Sequence, residues 1–117
     1  MPRLDVYQNS DLKFQVQVKD EPFWIGRGSD CLVSLTDPLV SHRHAHLAPS
    51  AEGWEIRNEG RNGTRLNDKP LGGTARLNFG DRIYIGPYAI VFVSSFSEPL
   101  RGDPGGPTET PGRTGGR

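Results

Sequence analysis

A single cysteine, Cys31, stands among the 117 residues, so no internal disulfide framework holds the chain and no CxxC pattern supplies thiolate ligands. No apolar run is long enough to span a bilayer, and the opening MPRLDVYQNSDLKF lacks the apolar core of a signal peptide. A cytoplasmic protein without membrane contact is the expectation. Fourteen basic and fourteen acidic residues cancel. No overall field therefore gathers nucleic acid or anionic lipid, and an anion must be met by a local site. Apolar spacing of three and four residues nowhere persists over three turns, which excludes a helical core.

What is present is strand grammar. From Arg3 to about Ser94, short apolar or alternating runs follow one another: LDVYQ, LKFQVQV, PFWIG, CLVSL, HAHLAPS, GWEIRN, TRLN, TARLN, RIYIG and YAIVFVS. Turn residues separate them. In LKFQVQV, Leu12, Phe14, Val16 and Val18 alternate with Lys13, Gln15 and Gln17, which predicts one buried and one wet face. So many short strands at close spacing imply an all-β sandwich or barrel. The hydrophobic content of 33%, beside ten prolines and fifteen glycines, is low for a wholly compact chain. The closing FSEPLRGDPGGPTETPGRTGGR has almost no apolar anchors and cannot offset its ordering entropy by burial. The expected organisation is one folded domain over residues 1–96 and a flexible tail or linker over 97–117.

All three histidines, His42, His44 and His46, fall within VSHRHAHL. Alternate residues of a strand share a face, which makes a metal site thinkable. Same-face neighbours nevertheless lie roughly 6.6–7 Å apart, whereas histidine nitrogens must come within about 2.1 Å of zinc. The outer two cannot easily share one ion, and neither a metal nor another cofactor is expected. Asp37, Ser41 and His44 are the residue types of a hydrolase triad, but no GxSxG elbow accompanies them. An enzyme is not expected.

Three loop stretches remain: Gly26-Arg27, Ser41-His42-Arg43-His44 and Gly60-Arg61-Asn62-Gly63-Thr64. Each lies between predicted strands, and loops at one end of a sandwich converge in space. Arginine offers a bidentate charge-assisted contact, serine a hydroxyl donor, and loop amides further donors, a set suited to a phosphate monoester. Arg43 alternates away from the ligand side. Gly63 and Thr64 are expected to set a tight turn, for which Asn-Gly is favoured, so Asn62 is either a ligand contact or a turn former. Arg57, Arg65 and Lys69 are expected to be solvated beside the site.

The order Gly-Arg, Ser-x-x-His, Asn-Gly-Thr and then Gly-Asp before a last strand pair resembles the forkhead-associated (FHA) domain. It is read here in IGRGSDCLVSLTDPLVSHRHAHL, NEGRNGTRLNDKPL and FGDRIYIGPYAIVFV, over about residues 3 to 95. The resemblance implies an antiparallel β-sandwich of about eleven strands whose apical loops bind phosphothreonine in a partner protein, and hence an upstream Ser/Thr kinase. Carried over by position, Arg27 and Ser41 grip the phosphate, Asn62 holds the peptide backbone, and Arg61 contacts the phosphate or its neighbour. Gly26, His44, Gly63 and Thr64 support the loops, with His44 as a brace, Ala45 and Leu47 facing the core, and His46 facing outward with His44. Two positions depart from the family. His42 stands where arginine or asparagine is frequent, and Glu59-Gly60-Arg61-Asn62 replaces the common Gly-Ser-x-Asn, which removes a hydroxyl. A histidine there can donate to phosphate when protonated, which implies tighter binding below about pH 6.5, opposed by protonation of the phosphate itself near pH 6. Two alternatives stay open: a phosphate-independent interaction or oligomerisation scaffold of the same fold, and capture of the chain's own tail phosphorylated at Thr108, Thr110 or Thr114.

Overall fold

The computed structural model describes residues 2–94, and the expected tail over 97–117, with Thr108, Thr110 and Thr114, lies outside the described residues. Eleven strands form two sheets: β1 (Pro2–Gln8), β2 (Asp11–Gln17), β3 (Phe23–Gly26), β4 (Val33–Ser34), β5 (Ala45–Ser50), β6 (Gly53–Asn58), β7 (Arg65–Leu66), β8 (Lys69–Pro70), β9 (Thr74–Leu77), β10 (Arg82–Ile85) and β11 (Tyr88–Ser94). One sheet runs β2-β1-β11-β10-β7-β8 and the other β4-β3-β5-β6-β9. The β3–β4 pair is parallel, while the other registered pairs are antiparallel. No helix among the described residues is long and apolar enough to cross a membrane.

The core forms where alternate residues of the facing strands meet. Leu4 and Val6 of β1, Ile25 of β3, Leu47 of β5, Ile56 of β6, Ile83 and Ile85 of β10, and Ile90 and Phe92 of β11 are all buried between the sheets. Strand β11 is apolar on both faces. Its other side, with Val91 and Val93, packs against Tyr7 in a second small cluster on the outside of the sheet. Beside that cluster Asp5 is fully buried, its carboxylate accepting Arg3 Nε at 2.7 Å, Arg3 Nη2 at 3.2 Å and Gln15 Nε2 at 3.0 Å. A buried carboxylate is tolerable when its lone pairs are filled in this way.

The expectation of one buried and one wet face in β2 is corrected. Leu12 and Phe14 are exposed (41% and 38%), and only Val18, just past the strand, is fully buried. A bulge explains the loss of alternation: β1 pairs Val6 with Phe14 but Tyr7 with Leu12, so Lys13 is an extra residue and Leu12 shares the outer face with Tyr7. The strand is also an edge, where a bulge and a lysine hinder pairing with another chain.

The connections β3–β4, β4–β5 and β6–β7 meet at one end of the sandwich. The β10–β11 turn at Gly86 packs against Leu39 and Val40 there. At the other end Phe79 stacks on Phe92 at 5.1 Å, and Phe92 meets Trp54 edge-on at 5.9 Å. Because Ile25 is fully enclosed, Ile25→Ala is expected to cost about 2–5 kcal/mol, whereas Leu12→Ala is expected to stay within about 0.5 kcal/mol of the wild type. Urea unfolding of the two variants measures both values.

Candidate phosphopeptide-binding site

The β4–β5 loop is shaped by its own residues first. Asp37 precedes proline and turns the chain: its carboxylate accepts Leu39 N–H at 2.8 Å and its carbonyl accepts Val40 N–H at 2.9 Å. Val40 is buried beneath, while Leu39 stands 54% exposed. The loop is then sewn to β3–β4, because the Ser41 carbonyl accepts Arg27 N–H at 2.9 Å and the His42 carbonyl accepts Gly28 N–H at 3.0 Å. Gly26 ends β3 and accepts Leu35 N–H at 2.8 Å. Cys31 Sγ also donates to the His42 carbonyl at 3.2 Å. Burial, and then the Asp30 charge, push that thiol up, so it keeps its proton for this contact.

His44 joins the remaining loop. Its ring is fully buried, with Nδ1 accepting Ser41 N–H at 3.0 Å and Nε2 lying 2.8 Å from the Gly63 carbonyl. A carbonyl only accepts, so the proton sits on Nε2. The main chain of the same residue bonds both ways, donating to the Ile25 carbonyl and accepting Glu59 N–H, each at 2.8 Å. The expectation that His44 faces outward with His46 is corrected: β5 begins at Ala45, so His44 precedes the strand and its ring turns in between the loops. Ala45 and Leu47 are buried as expected. His46 is half-buried with its ring 4.7 Å from Trp24, and desolvation, then the Arg57 charge, lower its pKa.

Gly60 stands where the missing serine belongs. A Cβ there would fall 2.3 Å from the His44 ring. The ring thus occupies the space that a side chain at position 60 needs. The β6–β7 turn closes through Gly63 N–H to the Gly60 carbonyl at 3.3 Å, with φ +85° at Gly63. Arg61 and Asn62 are therefore its central residues, one place earlier than a turn centred on Asn-Gly. Thr64 is buried and donates to Asn58 Oδ1 at 2.7 Å, and the same oxygen accepts Gly60 N–H at 3.0 Å. Asn58 was not singled out by sequence; an asparagine at a strand end just before a glycine loop was the signal for it.

A cavity of about 280 Å³ opens among these loops, lined by Arg27, Pro38, Leu39, Val40, Ser41, His42, Arg61 and Asn62. Every contact residue expected from the sequence is in it. Ser41 Oγ accepts Arg61 N–H at 2.9 Å, which leaves the hydroxyl proton for another acceptor. Asn62 Nδ2 donates to the Leu39 carbonyl at 2.9 Å, which leaves Oδ1 unengaged. The Arg27 and Arg61 guanidinium groups form no hydrogen bond or ion pair with described residues. Other arginines are engaged: Arg43 with Asp30, Arg57 with Glu59, Arg76 with Glu52. No cluster of metal-ligating residues occurs among the described residues. The triad types are not connected either, since both His44 nitrogens are engaged elsewhere and neither meets the Ser41 hydroxyl.

Comparison with known proteins agrees with this architecture. The FHA domain family profile matches residues 23–86. The chain is 32% identical over 77 residues to the FHA domain-containing protein FhaB of Mycobacterium tuberculosis, covering 65% of this chain and 50% of that protein. It is 35% identical over 74 residues to the oxoglutarate dehydrogenase inhibitor of Corynebacterium jeikeium, covering 62% and 51%. The chain thus spans about half the length of these curated relatives. Among solved structures, an FHA domain characterised for phosphothreonine-dependent interactions superposes with a TM-score of 0.70 at 27% identity, over 85% of this chain and 98% of that one.

Two outcomes test the brace. Gly60→Ala forces its methyl against the enclosed His44 ring and is expected to cost about 1–3 kcal/mol in urea unfolding. His46 titrates lower in the folded than in the unfolded chain, so the unfolded state binds more protons and stability falls as pH drops below about 6.5 towards the folded value. His46→Gln is expected to remove that part of the acid loss, read from unfolding curves at neutral and acid pH.

Proposed function

The chain belongs to the FHA family, and from that premise we propose that it is a phosphothreonine-dependent interaction module rather than an enzyme. The observation that carries this reading is the meeting of two unpaired guanidinium groups and a free hydroxyl proton in one cavity. A phosphate dianion satisfies all three together. Arg27 and Ser41 hold the phosphate, and Arg61 adds the second cation from the opposite loop. Asn62 Oδ1 accepts a backbone N–H of the bound peptide, while its amide nitrogen keeps the two loops in register through Leu39. The exposed Leu39 side chain, with Pro38, supplies an apolar wall to the cationic bowl. A Ser/Thr kinase that modifies the partner is implied.

Preference for threonine over serine needs a seat for one methyl group. Burying it contributes about 0.8 kcal/mol, or about fourfold, and the stiffness of a β-branched side chain adds to that selection. Calorimetric titration with a degenerate phosphothreonine peptide pool, its phosphoserine and unphosphorylated counterparts, and the Arg27→Ala protein tests the assignment. Binding by the phosphothreonine pool is expected, weakened in Arg27→Ala by about ten- to a hundredfold, as loss of a charge-assisted bond of about 1.5–3 kcal/mol requires. Equal binding of phosphorylated and plain peptide would instead identify a phosphate-independent scaffold.

A further inference from the structure

Asp30 stands in the β3–β4 loop beside the cavity and is no part of its lining. One carboxylate oxygen lies 3.2 Å from His42 Nε2, and the other accepts Arg43 Nη2 at 2.9 Å. The Arg43 hydrogen bond, first among several causes, holds this carboxyl below its ordinary pKa, so it stays ionised. Arg43 itself lies 5.5 Å over the Trp24 ring, on the outer face of the five-stranded sheet. Asp30 thus joins a cation outside the cavity to an imidazole that lines it.

The pair rests on Gly28, where a Cβ would stand 2.5 Å from both Asp30 Oδ1 and His42 Nε2. The His42 carbonyl is pinned by Gly28 N–H and Cys31 Sγ. The main chain therefore places the imidazole and Asp30 orients it. With Nε2 donating to the carboxylate, Nδ1 is left without a partner among the described residues. A neutral Nδ1 carries a lone pair and repels a phosphate oxygen; a protonated one donates to it.

Charges on the surrounding loops set the direction. Arg27 from the β3–β4 loop, Arg61 from the β6–β7 loop and neighbouring Arg43 oppose another positive charge, and Asp30 favours it. A bound dianion reverses the balance. On the phosphothreonine reading above, we propose that Asp30 is a positioning residue that orients His42 to take up a proton from solvent as the phosphate binds, giving the site a further charge-assisted donor.

Titration calorimetry of the full chain at about pH 7.5, with the tightest phosphothreonine peptide of the pool and buffers of different ionisation enthalpy, reads the protons taken up. A phosphate monoester with a second pKa near 6 is already largely dianionic there, so the uptake reports the protein. Uptake of up to one proton is expected in the wild type, close to none in His42→Gln, and clearly less in Asp30→Asn. Affinity of Asp30→Asn is expected to fall roughly two- to fivefold, the scale of an exposed ion pair. Absent uptake in the wild type, or equal uptake in wild type and Asp30→Asn, overturns the proposal. Tighter binding by Asp30→Asn overturns it too and makes the carboxylate a competitor of the phosphate. Failure of every pool peptide to bind is a different result, since it removes the receptor reading itself and the proposal with it.

Discussion

The His44 imidazole is the interaction on which the binding end depends. It lies fully enclosed, takes an N–H from the β4–β5 loop on one nitrogen and gives its own to the β6–β7 loop on the other. Both bonds are partly buried, where an unmade partner costs more than an exposed one does. The neutral ring has one donor and one acceptor, and each has one partner. A lysine or glutamate could not meet both demands, because neither offers a fixed donor and acceptor on opposite sides of a rigid plane. The absence of a side chain at Gly60 follows from the same ring.

Rigid loops matter because the chemistry of the site is electrostatic. Two guanidinium groups at one cavity repel, whereas Arg43, Arg57 and Arg76 elsewhere on this surface are neutralised by neighbouring carboxylates. At the cavity the backbone places Arg27 and Arg61 together without such partners. Fixed donors aimed at a common point lose little on reorganisation when an anion arrives. The Ser41 hydroxyl is prepared in the same sense: its oxygen accepts Arg61 N–H and its proton is free to donate.

How far the sequence could be read varied with the kind of interaction. The strands were legible because apolar runs and turn residues mark them locally. Strand β2 misled for a local reason of another sort. Its four apolar residues alternate in the text, but a single bulged residue against β1 moves Leu12 to the other face. Nothing in LKFQVQV announces a bulge, which arises from pairing. Asn58 and Asp30 escaped notice because each acts through a few polar contacts to loop residues, and polar residues of that kind are common on any surface.

The sequence by itself determined the all-β class, the loops that carry the cations, and the residue types for an oxyanion, because propensity, turn chemistry and charge are properties of short segments. Its order of motifs also pointed to the family. Only the tertiary structure decided which arginines are free and which are paired, that His44 turns inward while His46 leans on Trp24, and that His42 leans on Asp30. Those outcomes rest on contacts between residues far apart in the chain, such as Arg61 with Ser41, 20 positions away, and Asn62 with Leu39, 23 positions away. Spacing along a chain does not encode such contacts; two sheets closing on one core create them.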